Sequence, residues 1–160
     1  MVSTTSIAWP RILGQGLLAG IVGAITIDVY LWLTTILPAH GSIVALWQFI
    51  ASTLVGKAAY TSSSFAALGV AMHLVVSICW AAGYAYVAST RPFMNQQWGV
   101  SGAGYGVLVY AFMQLILLAG GHFVYPPTPT AFLIVVAAHV FFFGVPVAYV
   151  VSLQQQRSAA

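Results

Sequence analysis

Four long runs of apolar residues, at 12–37, 65–88, 99–120 and 130–153, divide the chain, with short polar breaks between them. A helix that crosses the hydrocarbon core of a bilayer needs about 20 residues, so each run is long enough to span one. A fifth apolar stretch, 43–55, is shorter. Its bulky residues Ile43, Leu46, Trp47, Ile50 and Leu54 recur at helical spacing, with Gln48 and Ser52 on another side. That pattern predicts a helix lying along the membrane interface, with a re-entrant half-helix as the alternative. The run Thr61-Ser62-Ser63-Ser64 offers an N-cap for the second span. In the fourth span Pro146 lacks a backbone donor and leaves the carbonyl of Phe142 without its usual partner, which predicts a kink beside Gly144. The first run follows Arg11, yet it far exceeds the roughly 7–15 apolar residues of a secretory signal core and is expected to be retained.

The two halves of the chain repeat one another. Gly16, Gly20 and Asp28 in the first run recur at the same spacing as Gly102, Gly106 and Gln114 in the third. The second and fourth runs align Val70-Ala71-Met72-His73-Leu74 with Val136-Ala137-Ala138-His139-Val140. A duplicated helical hairpin accounts for both matches, and its two copies cross the membrane in the same sense. Each Gly-xxx-Gly pair clears one helix face so that a neighbouring backbone can approach, the geometry of a packing seam inside a bundle. The fold expected is all-α: an integral membrane four-helix bundle built from a duplicated hairpin, with a short interfacial helix added.

Composition sharpens the class. Apolar residues make up 61% of the chain and charged ones 3%, with a mean hydropathy of +0.99. Soluble domains carry roughly 25% charged residues, so this surface must meet lipid. The basic residues Arg11, Lys57, Arg91 and Arg157 are scattered, which excludes a nucleic-acid footprint or a polybasic patch. With four spans, Arg11, Arg91 and Arg157 fall on one side and Lys57 on the other, so the positive-inside rule puts both termini in the cytoplasm. Trp9 and Trp98 then mark the inner interface, with Tyr84 and Tyr86 as anchors there, and Trp47 and Tyr125 mark the outer one. Cys79 is the only cysteine, so no disulfide forms within the chain.

Candidate chemistry lies in the few polar residues within the spans. Asp28 is the only acid of the chain, and a carboxyl inside a membrane helix is costly enough to mark a functional candidate. From the helical rise, Asp28 lies about 14 Å below the outer end of its span, His73 and His139 about 12 Å, and Gln114 about 9 Å. His40 and His122 sit in the outer loops above them. One reading is structural: Asp28, His73, Gln114 and His139 hydrogen-bond one another and hold the bundle together. The other is a site open to the outer side, binding a metal ion through His73, His139 and Asp28, a proton, or a small polar ligand. His73 and His139 at one depth on two helices also match the axial ligands of a b-type haem, although Asp28 and Gln114 crowd that layer. The stiff segment His122-Phe123-Val124-Tyr125-Pro126-Pro127-Thr128-Pro129 is a rigid connector or a lid. No nucleophile-elbow, zincin or phosphate-loop spacing is present, so no catalytic residue is assigned. Near absence of soluble surface fits a second class, an accessory or scaffold subunit that meets other subunits or further copies of itself.

The set Gly69, His73, Trp80, Tyr84, Gly102, Tyr105, Gly106, His139, Gly144, Pro146 and Ala148 resembles a group of small, functionally uncharacterised bacterial inner-membrane proteins with four helices. The likeness implies a multi-pass protein of the bacterial inner membrane and carries no activity with it.

Overall fold

The computed structural model describes residues 8–122 and 128–157, and every regular element in them is helical. Helix α1 (Trp9–Leu31) continues through a π-helical turn, Trp32–Ile36. Helix α2 (Ile43–Val55) ends in a 3-10 turn, Gly56–Tyr60. Then come α3 (Phe65–Thr90), the short α4 (Pro92–Gln96) and α5 (Trp98–Ala119). The last stretch is α6 (Pro129–His139), a π-helical turn Val140–Gly144 and α7 (Val145–Arg157). Phe123–Pro127, the centre of the proline-rich segment and the place of Tyr125, lies outside the described residues.

Five of these helices are long and apolar enough to cross a membrane: Trp9–Ile36, Ile43–Tyr60, Phe65–Thr90, Trp98–Ala119 and Pro129–Arg157. By length and composition these helices are compatible with a multi-pass membrane protein. Four such runs were expected. The fifth arises because the 3-10 turn lengthens the 43–55 stretch to 18 residues.

Side-chain sizes are distributed as lipid demands. The interior is lined by Ala19, Ala81, Ala85, Ala138 and Ala148, whereas Leu13, Leu17, Ile25, Val100, Leu115 and Leu133 face outward. In water that arrangement would be inside out. In hydrocarbon nothing drives leucines together, so small residues take the interface because they let backbones approach. A Cβ on Gly16 would stand 2.5 Å from the Cβ of Ala82, and one on Gly20 would stand 2.5 Å from the Cα of Ile78. Gly102 meets Ala148 and Gly106 meets Gly144 in the same way. Both glycine pairs therefore form seams, α1 on α3 and α5 on α7.

These contacts fix the directions. Gly16 faces Ala82, Gly20 faces Ile78 and Asp28 faces His73, so α1 and α3 are antiparallel and the start of α3 is level with the end of α1. Helix α2, which joins them, leaves and returns at that same end. There the backbone of its Trp47 lies hard against Gly69 of α3, and Thr53 lies beside Gly120, just past the end of α5. Helix α2 turns small residues inward. Ser52 is 1% exposed and Ala51 is fully covered, while Leu54 is 67% exposed. The hydroxyl finds partners within the protein, Trp47 and Ile50 are half-buried, and Ile43 and Leu54 stay exposed.

The local geometry adds detail at Pro146 and corrects two expectations, at Ser64 and at Tyr84. Ser64 does not cap α3 with its side chain; Ser62 accepts from the Ser64 amide instead, and its carbonyl receives the Phe65 N–H. Pro146 produces a widened π turn, in which the Val145 N–H donates to Val140 O, five residues back. The orphaned carbonyl of Phe142 accepts from the Thr26 hydroxyl of α1, so the defect is satisfied across helices. Tyr84 is no interface anchor. It is fully buried against Tyr105, whereas Tyr86 stays exposed and stacks on Trp9 at 5.5 Å.

Candidate functional site

Asp28 and His73 meet on the α1–α3 seam, toward its loop end. Further along the seam Gly16 and Gly20 hold the two helices in backbone contact. His73 Nε2 lies 3.2 Å from Asp28 Oδ1, with the side chains 23% and 27% exposed. The ring N–H does not point along that line, so Nε2 is a buried polar atom without a hydrogen bond among the described residues. Close approach without alignment leaves a donor available to a third group. Trp47 of α2 covers the imidazole, ring centres 5.6 Å apart and tilted by 51°.

The other predicted members do not join this pair. His139 sits on the seam between α5 and α6, where its Nδ1 is 2.8 Å from the carbonyl of Val135, one turn back. The Tyr110 ring packs edge-on against it at 5.4 Å. Gln114 is half-buried and makes no side-chain hydrogen bond to another described residue. His40 is exposed in the turn after α1, with a left-handed φ of 49°. The expected four-membered layer is thus one pair plus separate groups. Its members lie on different faces of their helices, which depth along the membrane does not specify.

His122 forms a second cluster at the same end. Its Nε2 is 3.2 Å from Ser52 Oγ, Tyr60 donates to that same oxygen at 3.2 Å, and Phe49 packs edge-on against the ring. A serine beside an imidazole has the atoms of a nucleophile and its base. Here the hydroxyl donates to Phe49 O at 2.6 Å, the serine is buried, and the chain's only acid is spent on His73. This cluster ties α2 to the end of α5 and has no catalytic form.

No three His, Cys, Asp or Glu side chains among the described residues are grouped to hold a metal ion. His73 stands beside Asp28 and under Trp47 while His139 packs on Tyr110, so the two imidazoles expected as haem ligands have different neighbours. The polar groups missed in the sequence lie at the opposite end of the bundle. Gln15, Asn95 and Gln155 are bonded to one another there. Each stands alone in an ordinary context, and only the meeting of three elements makes them a cluster. Compared with protein families, curated proteins and solved structures, the chain matches none.

Proposed function

We propose that this chain is a four-span protein of the bacterial inner membrane whose Asp28–His73 pair binds a proton, a small cation or a small polar ligand arriving from the outer side. The observation that carries this reading is the 3.2 Å approach of the only acid to an imidazole, under Trp47 and within membrane-spanning helices. A carboxyl in hydrocarbon is retained where it does something, and a misaligned donor beside it is ready for another acceptor.

Support for four crossings comes from α2, which leaves and returns at one end of the bundle. Both termini then lie in the cytoplasm, with Arg11, Arg91 and Arg157 on that side. The duplicated hairpin is supported by register. The offsets that align Gly16 with Gly102 and His73 with His139 also map Ala82 onto Ala148 and Ile78 onto Gly144, the residues that the two seams bring together.

Native mass spectrometry and thermal unfolding of the purified protein, titrated with divalent metals and small polar cations, test the site. A stoichiometric ligand that stabilises the protein, and is lost in both His73→Ala and Asp28→Asn but not in Gln114→Ala, is the expected result. No bound species, with melting unchanged by His73→Ala, would overturn it.

A second reading, an accessory subunit or homo-oligomer, draws on Gly14 and Gly104, exposed on outward faces with no neighbour within 4 Å. Such bare backbone is where another helix can approach. Native mass separates the readings, since a stable monomer argues against a subunit role.

A further inference from the structure

At the opposite end from Asp28, a cleft of about 750 Å³ opens between the start of α1, the end of α3 and α7. Its size is that of small-ligand sites, which run from roughly 300 to 1,000 Å³. Arg11 stands at the mouth, and Gln15, Asn95 and Gln155 line the interior. Gln15 is 4% exposed, unusual for a glutamine nearly two turns into a helix. Gln155 donates to Gln15 Oε1 at 3.2 Å and to Ala85 O at 3.0 Å. Asn95 donates to Gln155 Oε1 at 2.7 Å and to Ala88 O at 3.2 Å.

What this network leaves over defines a ligand. Asn95 Oδ1 is buried and accepts no hydrogen bond among the described residues. The amide nitrogen of Gln15 donates to no other described residue. The cleft is thus lined by a cation, by an amide with an unused N–H and by an amide whose buried oxygen is unfilled. No acid balances Arg11, because Asp28 is about 25 Å further along α1. Arg91 and Arg157 end α3 and α7 on the same side and add to the positive field. A matching molecule carries negative oxygens for Arg11 and Gln15 and a hydroxyl or ammonium hydrogen for Asn95. The aromatic pairs Trp9–Tyr86, stacked, and Trp98–Tyr149, tilted, ring this end, the position of an interfacial aromatic belt, so the cleft lies at headgroup depth.

We propose that this cleft binds a phosphate group flanked by hydrogen donors, as borne by a glycerophospholipid headgroup or a soluble phosphate ester. Basic recesses between membrane helices on the cytoplasmic side are suited to anionic headgroups. Arg11 neutralises the phosphate, Gln15 orients it, and Asn95 selects for the donor beside it.

Native mass spectrometry of the full chain in detergent, with dioleoyl phosphatidylglycerol or phosphatidylcholine added, tests the proposal. Phosphatidylcholine has the phosphate but no hydrogen donor. Preferential retention of phosphatidylglycerol is expected, weakened about fivefold by Arg11→Gln and unchanged by Arg157→Gln, which removes the same charge outside the cleft. Equal retention of the two lipids, equal weakening by the two variants, or no weakening by either overturns it. A second arm adds glycerol 3-phosphate to the phosphatidylglycerol-loaded protein. Displacement assigns the site to soluble phosphate esters, and continued lipid retention assigns it to the membrane. Arg11 is exposed, so its variant keeps the fold, and unchanged melting in lipid-free detergent checks that.

Discussion

At the residue scale, the cost of a buried polar atom decides most of the architecture. Asp28 and His73 come within 3.2 Å of each other, Thr26 serves the carbonyl that Pro146 orphans, and Ser52 reaches Tyr60 and His122. A double-mutant cycle of Asp28→Asn and His73→Ala, read by reversible unfolding in mixed micelles, should give a coupling on the order of 1 kcal/mol. Additive effects would mean that the two side chains do not interact. The sequence marked Asp28 and His73 because acids and imidazoles are rare in lipid, and rarity is visible without coordinates. It also predicted the orphan carbonyl of Phe142, but not its donor. Threonines in membrane helices usually bond their own backbone, as Thr34 does to Tyr30 O, so nothing singled out Thr26.

At the element scale, glycine spacing carries the packing. Gly16 and Gly20 read as a seam from sequence alone, since only a helix face without side chains permits such approach, and α3 fills it. Gly16→Leu should therefore push α1 off Ala82 and destabilise the protein by about 1–3 kcal/mol in the same unfolding assay. Gly14→Ala, two residues away with nothing within 4 Å, should cost little; equal losses would deny the seam. Helix α2 was legible as a separate short amphipathic element, but nothing in the sequence marked the side it turns to the bundle. The small Ala51 and Ser52 are covered, Trp47 lies over His73, and Leu54 is left exposed.

At the scale of the whole molecule, a membrane of fixed thickness made the long helices legible, because 20-residue apolar runs have few other uses. Convergence was less legible. Depth along the normal placed His73, His139 and Gln114 at one level, whereas rotation about each helix axis decides whether they meet, and it sends His139 to Tyr110. The inner cleft was hidden for a related reason, since Gln15, Asn95 and Gln155 belong to α1, α4 and α7 and none is unusual by itself. The proposed function rests on α2 staying at the outer end, which keeps the Asp28–His73 pair on that side and the arginine-lined cleft on the other. Cysteine labelling tests this directly, in a Cys79→Ala background, with an impermeant maleimide applied to intact cells. Gly41→Cys and Lys57→Cys, at the two ends of α2, should both react from outside, and Arg91→Cys only after permeabilisation. Reaction of Gly41→Cys and Lys57→Cys from opposite sides would make α2 a fifth crossing and contradict the four-span account.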